Sequence, residues 1–298
     1  MTRLEQRPRC CHAGPSRPRE LHLIAPLSRR QLLANGLSLA TAGRASAALS
    51  AAPLPPMVDI SALFGPVRNQ GDRNTCAYFA ATAAAEAAMA RKTGMAVALS
   101  EQYLTDIAHA GHRLPADETT NIHGVLDLIA NDGMVPAAAR PYRSQAPAGQ
   151  LVQGPDPALL AIGRRLAFAP LQIPDTRLES LQRRLLRTPL IVALAFPHNR
   201  AGWRDDGLVE PVPGLVPDGD ARDQFPNHFV VLTGFDRRRQ LFFLRSSWGP
   251  DWGRGGYGRI RFASMQTNWL TGPALFLRYS PPPPLRDRLP LGAGGPAG

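Results

Sequence analysis

Lysine is all but missing from this chain: Lys92 is the only one among 34 lysines and arginines. The net charge of +11 is therefore carried by arginine, and it is unevenly placed. Residues 1–50 hold eight Arg against two Glu, which is +6 of the +11 and leaves +5 for the rest. That distribution argues against a nucleic-acid partner, which needs a basic stripe on the folded part. Long apolar runs are missing too. The longest candidate near the start, Leu32 to Gly43, is too short and too weakly apolar to span a bilayer, so no membrane anchor is expected. Cysteine is scarce, with only Cys10, Cys11 and Cys76 in 298 residues, and no internal repeat is visible. What remains is ample apolar content, 44%, for one large globular domain or two that share an interface.

The stretch "SRRQLLANGLSLATAGRASAALSAA", 28–52, pairs Arg29 with Arg30, follows with the short apolar run, and ends in the small-residue pattern Ala45-Ser46-Ala47. It resembles a bacterial twin-arginine export signal, with Leu32 where phenylalanine is frequent. The alternative is an ordinary basic amino terminus. The resemblance implies an exported protein, periplasmic or secreted, that meets an export machinery, with residues 1–52 as signal. Cleavage there would leave Cys76 as the only thiol, so no intramolecular disulfide could form. In an oxidising compartment an unpaired thiol is a liability unless it is buried or used.

Cys76 stands at the head of "CAYFAATAAAEAAMARK", a run of strong helix formers preceded by Asn74, a good N-cap. A thiol on the first turn of a helix sits at the positive end of the dipole, where its thiolate is stabilised. The plain alternative is a small buried hydrophobe.

Further along, "LSEQYLTDIAHAG" predicts a helix beginning at Ser100, and "NIHGVLDLIANDG" one that stops at Gly133. A Pro, Gly and Gln loop from Arg143 to Pro157 marks a possible boundary. Beyond it, "DTRLESLQRRLLR" reads as one amphipathic helix. The segments "LIVALAF", "HFVVLTGFD", "QLFFLRSS", "YGRIRFA" and "ALFLRY" read as strands. A long loop rich in Gly, Pro and Asp, Pro197 to Asn227, is of the kind that rims a functional cleft, and "SPPPPLRDRLPLGAGGPAG" reads as a disordered tail. The chain is thus helical first and mostly β later. The histidines 109, 112 and 123 near Asp117 and Glu118 do not have ligand spacing, so neither a metal nor another cofactor is expected.

Three segments, "PVRNQGDRNTCAYFA", "NHFVVLTGFD" and "FFLRSSWGPDWGRGGYGRI", resemble in order and separation the motifs around the catalytic residues of papain-like cysteine peptidases. "ALSEQYLTDIA" and "DGMVPAAARPY" add to the likeness, which extends from about Val58 to Tyr279. It implies an α+β fold in residues 53–280, with a helical half over about 57–157 facing a β-barrel-like half over about 158–280 across a cleft. Residues 281–298 would be tail. It further implies a nucleophile at Cys76, a general base and acid at His228, and an oxyanion-stabilising amide at Gln70, with peptide or protein as substrate. Trp248 and Trp252 resemble tryptophans that flank the third catalytic position and shield the histidine's orienting hydrogen bond from water; the plain alternative is core aromatics.

The chain also departs from that pattern. Ser246 stands where the histidine-orienting asparagine is usual, and its hydroxyl reaches less far than a carboxamide. Asn74 takes a position where glycine usually lines the cleft, and Tyr78 one where a smaller residue is usual. Only a short Pro-rich stretch separates the signal from "VDISALFGPVRNQG", which predicts no latency by a folded prosegment. Two functions follow: a cysteine-type peptidase, or a papain-fold binding protein with weak or no turnover. Acyl transfer to an amine would share the same nucleophile. Oligomeric state has no sequence signal.

Overall fold

The run that opens at Cys76 folds as α1, Cys76–Thr93, in a computed structural model that describes residues 53–110, 122–145, 154–173, 175–195, 206–209, 227–266 and 270–280. Fourteen of its 18 residues are buried, so it is an interior helix, and its alanines let neighbouring backbones approach closely. The helix stops at Gly94, which has φ 73° and donates its N–H to the Ala90 carbonyl at 2.8 Å. The N-cap differs from expectation. It is Thr75 rather than Asn74, and it makes no side-chain cap bond, because its hydroxyl lies 2.7 Å from that of Tyr142.

The next helix, α2 at Glu101–Ala110, begins as expected, with the Ser100 Oγ accepting from the Tyr103 N–H at 3.0 Å. A third, α3 at Ile122–Asp132, ends at Gly133, whose φ is 70°. A side chain at Gly133 would overlap the carbonyl oxygen of Gly163, the last residue of α4, Pro157–Gly163. Two more helices, α5 at Leu178–Leu185 and α6 at Phe262–Gln266, come from the later half.

Eight strands form one sheet: β1 Met57–Asp59, β2 Phe168–Ile173, β3 Leu190–Ala195, β4 Leu208–Val209, β5 Asn227–Asp236, β6 Leu241–Arg245, β7 Tyr257–Arg261 and β8 Leu270–Tyr279. Seven of them run in the order β2-β8-β3-β5-β6-β7-β4 and β1 pairs with β5, antiparallel throughout except for the parallel pair β4 and β7. The five apolar runs read as strands in the sequence are β3, β5, β6, β7 and β8.

Three strands carry no comparable signal. β2 contains Pro170 and is tolerated because it lies at the sheet edge, pairing only with β8. β1 is three residues long and extends the edge of β5 beyond β3, with Asp59 opposite Gly234 where β3 ends with Leu190 opposite Leu232. It brings the amino-terminal segment into a sheet otherwise built from residues after 167. β4 lies within the long loop and has two residues.

Alternation along the central strands divides the apolar side chains between two cores. Ile191 and Ala193 of β3, with Phe229 and Val231 of β5, face the core shared with α1, α2 and α3. Leu190, Val192 and Leu194, with Val230 and Leu232, face the other core, shared with α5 and α6. The sheet thus carries helices on both faces, and α1 packs directly on β5 and β8. Among the described residues no helix is long and apolar enough to cross a membrane. The export-signal segment, the tail, His112, most of the loop after Arg143 and most of the loop before Asn227 lie outside the described residues.

Candidate active site

Cys76 is fully buried at the first position of α1, where the helix N–H groups concentrate positive charge. It is the only cysteine among the described residues. Phe79 and Ala80, on the first turns of α1, line one small cavity with Phe229, Ser246 and Ser247. That places the thiol's end of the helix beside the start of β5, where His228 stands.

Gln70, six residues before Cys76, is held from every side. Its N–H donates to the Ser247 carbonyl at 2.8 Å, and its carbonyl accepts from the Tyr142 hydroxyl at 2.9 Å. Its amide is fixed at both ends: Ser247 Oγ donates to Oε1 at 2.6 Å, and Nε2 donates to the Arg73 carbonyl at 2.7 Å. A flipped amide would set its oxygen against the Arg73 carbonyl, which can only accept, so one orientation is selected. The second Nε2 hydrogen is left over from this pair of contacts.

His228 is 1% exposed. Its Nε2 lies 3.3 Å from Ser246 Oγ, a long and weak contact, and its ring stacks on Trp248 with centroids 3.9 Å apart. Trp252 meets Trp248 edge-on at 5.6 Å. The aromatic cover keeps water away, and burial pushes the pKa of the imidazole down to about 3.

All four residues singled out in the sequence therefore fall in one region. Gln70 bonds to Ser247, its neighbour Ser246 meets His228, and Cys76 closes the loop that Gln70 begins. Beneath them, Arg68 lies 2.7 Å from both Glu86 and Glu101. Burial pushes Glu101 up to about 7, against the pull of Arg68.

Three contributors were not singled out from sequence: Ser247, Arg73 and Tyr142. Tyr142 sits in the quoted "ARPY" segment and Ser247 adjoins Ser246, so both carried a positional signal. Arg73 carried none, since nothing local marks a loop arginine as buried.

The model of the papain family cysteine proteases matches residues 54–270, and the chain belongs to that family. It is 27% identical over 246 residues to cysteine proteinase EP-B 1 of Hordeum vulgare, covering 78% of this chain and 61% of that protein. It is 26% identical over 192 residues to cysteine proteinase 3 of Dictyostelium discoideum, covering 64% and 54%. The chain thus spans less than two thirds of the length of these curated relatives.

Among solved structures it is similar to xylellain, a cysteine protease from Xylella fastidiosa, with TM-score 0.66 and 16% identity over 93% of this chain and 99% of that one. The Carica candamarcensis cysteine protease CMS1MS2, in complex with E-64, matches with TM-score 0.56 and 23% identity over 76% and 99%. These likenesses show the papain-like α+β fold.

Proposed function

We propose that this protein is a cysteine-type peptidase that hydrolyses peptide bonds through an acyl-enzyme on Cys76. The observation that carries the reading is the chain of contacts that fixes the Gln70 amide and leads through Ser247 and Ser246 to His228, beside the helix terminus that bears the thiol. In this mechanism His228 takes the Cys76 proton and Sγ attacks the peptide carbonyl carbon. The oxyanion accepts hydrogen bonds from the free Gln70 Nε2–H and the Cys76 N–H. The imidazolium then protonates the departing amine. A water, deprotonated by His228, attacks the thioester and releases the acid, restoring thiol and imidazole. A developing thiolate next to His228 offsets the desolvation that lowers the pKa of the ring, so proton transfer and attack are coupled.

Ser246 orients the ring through a weaker contact than a carboxamide would make, which gives a slower enzyme and not an inert one. The substrate is peptide or protein. Residues 1–52 act as a twin-arginine export signal ahead of a 53–280 peptidase unit, which places the protein in the periplasm or outside the cell. Replacing Arg29 and Arg30 together with lysine is expected to retain it in the cytoplasm, and unchanged export would remove that assignment.

The test of the activity is Cys76→Ala: peptide hydrolysis is lost while thermal unfolding stays the same. Hydrolysis that survives the substitution would overturn the proposal. A second reading, a papain-fold binding protein with little turnover, is favoured by the near-complete burial of Cys76 and His228, at 0% and 1% exposure. It is distinguished by a peptide ligand that the unmodified protein binds without ever cleaving, and that stays bound in Cys76→Ala.

A further inference from the structure

Arg73 is 2% exposed, although it lies in the loop that leads to the nucleophile. A buried guanidinium is costly unless its donors are met, and here they are. Nη1 donates to Gln102 Oε1 on α2 at 2.9 Å and to the Arg143 carbonyl at 2.6 Å, and the group lies 4.9 Å from the centre of the Tyr142 ring. Gln102 is itself held. Its Oε1 accepts from the Arg143 N–H at 3.1 Å, and its Nε2 donates to Asp106 Oδ1 at 2.8 Å. Asp106 in turn accepts from Arg140 Nε at 2.5 Å. The Arg73 side chain is thus fastened to α2 and to the 140–143 segment.

Its main chain does something else: the Arg73 carbonyl accepts from Gln70 Nε2 at 2.7 Å. The Nε2 end of the Gln70 amide is thus set by the position of residue 73, as its Oε1 end is by Ser247. No cysteine other than Cys76 occurs after Cys11, so no disulfide within residues 12–298 can tie this loop down.

We propose that Arg73 is a positioning residue for the oxyanion donor: its buried side chain pins the loop so that its carbonyl aims the Gln70 amide at the developing charge. The proposal rests on the reading of Gln70 as that donor. A donor aimed in advance contributes in the transition state and little to ground-state binding, so the loss should appear in kcat and spare KM.

The test uses the full chain carrying Arg73→Met, alone and combined with Gln70→Ala, with steady-state kinetics and amide hydrogen exchange over residues 70–76. Arg73→Met is expected to lower kcat about tenfold or more with KM within about twofold, and to add no further loss once Gln70 is alanine. Exchange should rise over 70–76 and stay unchanged in β5 and β8. If Arg73→Met does not fold, Arg73→Lys, which keeps charge and length but not the forked donors, carries the same comparison with a smaller effect.

A folded variant with unchanged exchange and kcat would overturn the proposal, as would a full multiplicative loss on top of Gln70→Ala. If the unmodified protein cleaves nothing, the peptidase reading falls by itself. The exchange result still decides whether Arg73 pins the loop.

Discussion

The imidazole of His228 lies nearly flat on the indole of Trp248, with ring centres 3.9 Å apart and planes 14° apart. This stack removes one face of the ring from water and contributes to the burial that lowers the pKa of His228. Trp248→Leu opens the face and relieves the desolvation, so the pKa of His228 moves up toward 6.5, by about one unit or more. The acid limb of kcat/KM should move to higher pH with it. An NMR titration of the His228 ring measures the same shift directly, and an unmoved titration would detach the pKa from the stack.

Ser246 is the point where the orienting contact is weakest, at 3.3 Å. Ser246→Ala is expected to lower kcat by about 3- to 10-fold, a partial loss that leaves nucleophile and base in place. Ser246→Asn restores reach to the ring and should give equal or faster turnover. A large fall in the asparagine variant would show that Ser246 does not stand at the orienting position.

Ser247 acts on the other side of the site, through its 2.6 Å bond to Gln70 Oε1. Ser247→Ala frees one end of the amide while the Arg73 carbonyl keeps the other. The expected cost is about tenfold in kcat, short of the ~10²–10³ for losing an oxyanion donor outright. Steady-state kinetics with KM unchanged would bear this out, and a rise in KM alone would count against it.

His228 and Glu101 make opposite contributions to stability. His228 has its pKa lowered from 6.5 to about 3, so its contribution is present above 6.5 and lost as pH falls through about 3. Glu101 has its pKa raised from 4.5 to about 7, so its contribution is present below 4.5 and lost as pH rises through about 7. Between 4.5 and 6.5 the two slopes, each at most ~1.4 kcal/mol per pH unit, oppose one another. Glu101→Gln removes one of them. Its unfolding free energy should then rise with pH across that window more steeply than that of the unmodified protein, as measured by denaturant titration. A parallel pair of curves would mean that Glu101 does not titrate there.

Much of the site is legible in sequence because its pieces are local. Gln70 and Cys76 sit on one loop at a fixed spacing, and Ser246 is counted from the adjoining Trp248 and Gly249. β5 and its neighbours are unbroken apolar runs. β2 was not legible, because Pro170 breaks its pattern and only the edge position makes it a strand. β1 was not, because three residues carry no period and their pairing is made with residues nearly two hundred positions away. Arg73 reads as a solvated loop arginine until Gln102 and the Arg143 carbonyl, 29 and 70 residues on, are seen to enclose it. The lowered pKa of His228 also had no sequence signal, since it follows from tertiary burial and not from the neighbours in the chain.

The most direct measurement is covalent labelling of the full chain with a peptidyl epoxide from about pH 5 to about pH 8, mapped by mass spectrometry. The account predicts one adduct per chain, on Cys76, formed much more slowly in His228→Ala. A folded protein that takes no label, or labels equally fast without His228, would contradict a working thiol–imidazole pair.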